Sequence, residues 1–134
     1  MVGLAIARSL LRYTTELEGL VIDRRVKRTL DFLEQAWREP GDVAEIAARV
    51  GLSSSRLEHL FREHARSTIR DYLRDRRLLH AAAMLVDTDE RVSQICYAVG
   101  FGDPSNFNHA FKKTFGVSPK QYRNGERAAE STNE

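Results

Sequence analysis

A chain of 134 residues with 42% apolar and 30% charged side chains suits one compact domain, or two small ones sharing a core, and excludes wholesale disorder. Its formal charge of +2 does not by itself single out a polyanionic partner. Charge interrupts every apolar stretch before the ~18 residues of a membrane span are reached, and one cysteine, Cys96, excludes an internal disulfide and a cysteine-rich zinc site.

Every apolar pattern follows the helical period and no useful length alternates with period two, so the expected fold is all-α. Ile6, Leu10, Tyr13, Leu17 and Leu20 form one stripe on an N-terminal helix. Three placements suit it: packing on the domain, self-association through residues 4–20 as a short coiled coil, or a remnant of a linker. The arginine inside the opening apolar run and the lack of a small-residue cleavage site argue against a secretory signal, so the cytoplasm is the expected location. Asp23 is placed to cap a second helix with the stripe Val26, Leu30, Leu33 and Trp37, ended by Pro40-Gly41. Asp42 caps a short helix that Gly51 stops. Ser53 or Ser54 caps the next, which extends to about His64. A long segment from Ile69 to Val86 contains no Gly or Pro, carries the stripe Tyr72, Leu73, Leu79, Ala82, Ala83 and Val86, and breaks at Asp87-Thr88-Asp89. A further short helix begins near Val92 and turns at Gly100-Phe101-Gly102. Asp103 and Pro104 start the helix after it, proline being pre-organised for a first turn. A last short helix starts at Pro119 and includes Tyr122. From Asn124 the chain is small, polar and charged and is expected to be disordered.

Part of this series occurs twice. Val43–Gly51 recurs as Val92–Gly100, and Ser55–Phe61 as Ser105–Phe111 with one extra residue in the turn. The identical pairs are Val43/Val92, Ile46/Ile95, Val50/Val99, Gly51/Gly100, Ser55/Ser105, His59/His109, Phe61/Phe111 and Tyr72/Tyr122. A repeated helix, glycine turn and helix reads as a helix-turn-helix used twice. The organisation is an N-terminal helix or linker remnant (1–22), a first subdomain (23–68), a linking helix (69–88), a second subdomain (89–123) and a tail (124–134).

Charge follows the repeat. Ser53–Arg77 holds seven arginines against four acidic residues, and Val92–Arg123 holds three lysines and one arginine against Asp103, while residues 1–52 balance. In the second helix of repeat one, Leu57, Leu60 and Phe61 share an apolar face, opposite Ser55, His59 and Arg62. In repeat two the apolar face is Phe107, Ala110 and Phe111, opposite Ser105, His109 and Lys112. Packing does not require the polar faces to agree, so their agreement favours a common ligand. A major groove admits one helix, and Ser, Asn, His and Arg suit base edges. Arg62, Arg66, Lys112 and Lys113 suit phosphates. The DNA-contacting set is therefore Ser55, Arg56, His59, Arg62, Pro104, Ser105, Asn106, Asn108, His109, Lys112 and Lys113. A linking helix of about 27 Å, at ~1.5 Å per residue, approaches the ~34 Å between successive major-groove faces.

Two other readings compete. A helical protein-interaction module explains the amphipathic helices but not two basic units with matched polar faces. For an enzyme, no nucleophile triad spacing, phosphate-cradling glycine loop or metal-ligand set is legible, and no catalytic residue, metal or cofactor is assigned.

Ile95-x3-Val99-Gly100-Phe101, Phe107-x3-Phe111-Lys112-Lys113, Phe115-Gly116-Val117-Ser118-Pro119 and Tyr122-Arg123 resemble the signature of the AraC/XylS family of transcription regulators, over about Asp23–Arg123. The resemblance implies a seven-helix domain that binds double-stranded DNA, with recognition helices near 54–64 and 104–114. It also implies an activator that contacts RNA polymerase. With only residues 1–22 ahead of the shared region, the chain suits either a stand-alone member or the C-terminal piece of a longer regulator. Repeat one departs from the pattern in having Ala65-Arg66 where repeat two has Phe115-Gly116, and in placing Glu58 beside the groove face, where a carboxylate repels phosphate unless a cytosine amine donates to it.

Overall fold

A computed structural model describes residues 23–132, with the side chains of residues 131 and 132 left aside. The stripe Ile6–Leu20 lies outside these residues. The described chain consists of seven helices: α1 (Arg24–Ala36), α2 (Val43–Arg49), α3 (Ser54–Ala65), α4 (Ile69–Asp87), α5 (Val92–Ala98), α6 (Pro104–Phe115) and α7 (Pro119–Thr132). No strand occurs among the described residues. The chain divides into two compact units at Arg76–Arg77, within α4.

In the first unit, short polar side chains start each helix by satisfying free backbone donors. Asp23 accepts from the Arg25 N–H at 2.8 Å, Asp42 from the Glu45 N–H at 2.8 Å and Ser53, not Ser54, from the Arg56 N–H at 3.2 Å. Gly51 (φ 72°) supplies the left-handed turn that separates α2 from α3. Helix α1 ends at Ala36, before the Pro40-Gly41 pair expected to stop it, with Trp37 as its C-cap; of the expected stripe, Val26 and Leu33 are buried and Leu30 and Trp37 half-buried. The core is Val26 and Leu33 of α1, Ile46 and Ala47 of α2, Leu57, Leu60, Phe61 and Ala65 of α3, and Ile69, Tyr72 and Leu73 of α4. Thr29 is the buried polar residue of this unit. Its hydroxyl donates to the Arg25 carbonyl at 2.8 Å, so burying it leaves no donor unsatisfied.

The second unit repeats the plan with more aromatic content. Asp103 caps α6, accepting from the Ser105 N–H at 3.0 Å, and Pro104 occupies the first turn. The core comprises Leu78, Ala81, Ala82 and Leu85 of α4, Ile95, Cys96 and Val99, and Phe107, Phe111 and Phe115. Phe111 stacks on Phe115 at 4.3 Å and meets Tyr122 edge-to-face at 5.5 Å and 80°. The equivalent rings of the first unit, Phe61 and Tyr72, meet edge-to-face at 6.0 Å and 78°. Such pairs contribute about 0.5–1.5 kcal/mol beyond area burial.

Two expectations are corrected. In the C-terminal half of α4 the buried face is Leu78, Ala81, Ala82 and Leu85, so of the expected Leu79, Ala82, Ala83 and Val86 only Ala82 is in the core. Leu79 and Val86 are half-buried and Ala83 is exposed. The helix serves a different core on each side of Arg76–Arg77, so one uninterrupted stripe does not describe it. The segment from Asn124 is helical to Thr132, not disordered. Arg123 and Arg127 anchor it, donating to the carbonyls of Leu85, Thr88 and Glu90 at the end of α4 and the start of the loop beyond.

Candidate nucleic-acid interface

Burial of one face of α3 and α6 determines what the other presents. With Leu57, Leu60, Phe61 and Ala65 turned into the core, α3 exposes Ser55, Arg56, His59, Arg62 and Glu63. With Phe107, Phe111 and Phe115 buried, α6 exposes Ser105, Asn106, Asn108, His109, Lys112 and Lys113, and Pro104 is half-buried at its first turn. Ten of the eleven candidate residues are thus exposed, and each helix carries its set on the side away from its core. Ser55, His59 and Arg62 are spaced as one stripe along α3, and Ser105, His109 and Lys112 match them along α6.

The two faces differ in two respects, and their helices share one manner of ending. His59 Nε2 lies 3.7 Å from Glu63 Oε2, both side chains well exposed, whereas Lys113 follows His109 at the same spacing. Glu58 is half-buried where Asn108 is exposed. It lines a shallow open concavity with His59, Arg62, Thr68 and Arg70. Finally, Arg66 and Gly116 close the two helices in the same manner. Both take the left-handed conformation (φ 55° and 81°) and each donates its N–H to the carbonyl four residues back, Arg66 to Arg62 at 2.9 Å and Gly116 to Lys112 at 2.7 Å. The missing glycine therefore leaves the end of the helix unchanged, and a non-glycine residue bears the strained backbone.

Sequence reasoning passed over Arg70. It is exposed near the start of α4 and lines the concavity. The register pairing Tyr72 with Tyr122 also pairs Arg70 with exposed Lys120 and Thr68 with Ser118. The hydroxyls of Thr68 and Ser118 cap the following helices, accepting from the Asp71 N–H at 3.0 Å and the Gln121 N–H at 3.2 Å. Following the repeat past Phe61 would have found both basic residues.

Reactive chemistry is not in evidence at either face. Cys96 is fully buried, with its thiol 3.8 Å from the Phe101 carbonyl. Burial, and secondarily Asp103, pushes its pKa up and keeps it protonated. Among the described residues no group of three or more His, Cys, Asp or Glu could hold a metal ion, and no helix is long and apolar enough to cross a membrane.

Two helix-turn-helix units, each presenting a polar, basic second helix, define a double helix-turn-helix domain. A family model described as a helix-turn-helix domain matches residues 46–125. The HTH-type transcriptional activator RhaS of Enterobacter sp. (strain 638) is 34% identical over 121 residues, which is 90% of this chain and 44% of the relative. The arabinose operon regulatory protein of Escherichia coli (strain K12) is 32% identical over 105 residues, 78% of this chain and 36% of the relative. Among solved structures, the DNA-binding domain of AdpA, described as a global transcriptional factor in complex with a target DNA, superposes with a TM-score of 0.73 at 26% identity, covering 80% of this chain and 96% of that one. A regulator from Chromobacterium violaceum described as having an AraC-type DNA-binding domain gives a TM-score of 0.68 at 27% identity, over 74% of this chain and 88% of that one. The chain belongs to the AraC/XylS family of helix-turn-helix, DNA-binding transcription regulators. It spans less than half the length of the RhaS and arabinose regulators it matches.

Proposed function

We propose that this chain binds double-stranded DNA sequence-specifically by inserting α3 and α6 into successive major-groove faces, and that it activates transcription from the bound site. The observation that carries this reading is the duplicated exposed stripe, Ser55/Ser105, His59/His109 and Arg62/Lys112, on two helices whose opposite faces are buried. Short polar groups at the start of such a helix suit base edges, and cations further along suit phosphates. The contact set is Ser55, Arg56, His59 and Arg62 from the first unit, with Pro104, Ser105, Asn106, Asn108, His109, Lys112 and Lys113 from the second. A single helix of 19 residues connects the two motifs.

Activation through RNA polymerase is favoured by the family and by the activator named among the relatives. Binding at the nucleoid in the cytoplasm follows from the same reading, and the function is recognition without catalysis. Residues 4–20 are proposed as a self-association segment.

Selection of bound duplexes from a random pool, followed by footprinting, tests the proposal. The expected footprint covers about 20 base pairs with two protected major-groove faces one turn apart, and affinity falls steeply with salt. Binding that ignores salt, or no binding to any duplex, would favour a protein-interaction module. Protection of a single face would overturn the two-site arrangement.

A further inference from the structure

Arg66 is the described non-glycine residue that bears a positive φ, 55°. Its counterpart Gly116 occupies the same C-terminal position of α6 at no steric cost. Left-handed backbone costs a side-chain-bearing residue stability, and glycine is a single substitution that removes the cost. Strain retained at one position directs attention to what its side chain does.

The position of that side chain is informative. Arg66 is exposed at the C-terminal cap of α3, four positions beyond Arg62, and its N–H donates to the Arg62 carbonyl, so it sits just past the end of the stripe Ser55, His59 and Arg62. Arg66 is exposed, and no carboxylate among the described residues pairs with it, whereas Arg25, Arg74, Arg76 and Arg127 each have an acidic partner. Arg62 and Arg70, which line the concavity beside α3 together with Glu58, form no ion pair among the described residues. Repeat two has glycine in place of this charge, while having Lys113 where repeat one has Glu63. The end of each recognition helix thus carries two cations, Arg62 on α3 with Arg66 at its C-terminal cap, and Lys112 and Lys113 on α6.

We propose that Arg66 is a phosphate-binding residue specific to the first recognition helix, compensating for the acidic Glu63 and held at the groove edge at the expense of backbone strain. This rests on the DNA-binding reading given above. The contact is to the backbone of double-stranded DNA, so it adds affinity without sequence preference.

The test compares wild type with Arg66→Gly, Arg66→Asn and Arg66→Lys in thermal unfolding and in binding to a duplex selected from the random pool. Arg66→Gly is expected to raise the unfolding midpoint by a few degrees while lowering affinity about five- to tenfold near 0.1 M salt, with the salt slope shallower by about one unit. Arg66→Asn, which tolerates the left-handed turn without charge, is expected to match it in binding. Arg66→Lys keeps most of the affinity and the full slope. Stability and affinity moving in opposite directions is a result that a purely structural role does not produce. A Gly variant with unchanged affinity and slope would overturn the role of Arg66 alone. A fall in both midpoint and affinity would make it a packing residue and overturn the proposal as well. Wild-type chain that binds no duplex would overturn the DNA-binding reading and the Arg66 contact with it.

Discussion

Arg123 donates from Nε to the carbonyl of Leu85, 2.7 Å away across 38 positions of the chain. Its Nη2 donates in addition to the carbonyls of Glu90 at 2.6 Å and Thr88 at 3.3 Å. One planar guanidinium thus satisfies three acceptors where α4 ends, a region that lacks internal donors. The loop it ties down leads into α5, so the bond links the last helix to the entry of the second helix-turn-helix. Arg123→Ala is expected to cost about 2–3 kcal/mol in urea unfolding. Arg123→Lys should recover only part of it, because an ammonium cannot fork to several acceptors. Full recovery with lysine would show that charge alone matters here.

Arg127 extends the anchorage, with Nη2 donating to Thr88 at 2.6 Å and to Asp89 at 3.0 Å. Truncation after Arg123 should therefore lower stability by about 1 kcal/mol. An unchanged denaturation midpoint would mean that the terminal turns of α7 contribute nothing to the fold.

Phe61 and Phe111 are fully buried and hold their units through Tyr72 and Tyr122. Cutting either to alanine should cost about 3–5 kcal/mol, with DNA binding lost only as the domain unfolds. Circular dichroism melts alongside binding titrations check this. A variant that melted like wild type and failed to bind would put that ring at the DNA.

Charge and hydrogen-bonding capacity divide the labour on α6. Lys112→Ala should weaken binding to all duplexes alike and reduce the salt slope by about one unit. Alanine at Ser105, Asn106 or His109 should instead change which base pairs are preferred, by about 1–3 kcal/mol at the affected position. Selected-site profiles of the variants decide between the roles: an altered consensus with Lys112→Ala would reverse the assignment.

Asp23 links the start of α1 to pH. The Arg25 side chain donates to it at 3.0 and 2.8 Å, and the Arg25 backbone N–H does so as well. These bonds hold its pKa well below the usual carboxylate range. A depressed carboxylate pKa contributes stability that is fully present above the unfolded-state value and lost as pH falls toward the folded one. Asparagine retains a capping oxygen but loses the ion pair. The stability difference between wild type and Asp23→Asn should therefore be constant above about pH 5 and shrink as pH drops below about 4. Chemical denaturation across pH 2–7 measures it, and a difference that persists unchanged to pH 2 would exclude the ion pair as its source.

Much of the architecture is legible in the amino-acid sequence because it depends on neighbours in the chain. Asp42, Ser53 and Asp103 cap helices through bonds to residues two or three positions on. Helical periodicity names Leu57, Phe61, Phe107 and Phe111 as buried and thereby exposes the faces of Ser55, His59, Ser105 and His109. The repeat confirms each such assignment a second time. Three features depended on the tertiary structure, for a common reason: contacts between distant residues outweigh local preference. Leu78 rather than Leu79 is buried because α4 serves a different core after Arg76. The polar segment after Asn124 is helical where local composition suggested disorder, and Arg123 and Arg127 hold it to carbonyls more than thirty residues away. Arg66 takes the left-handed turn that glycine takes in repeat two, between the buried Ala65 and Ile69, although its own side chain disfavours it.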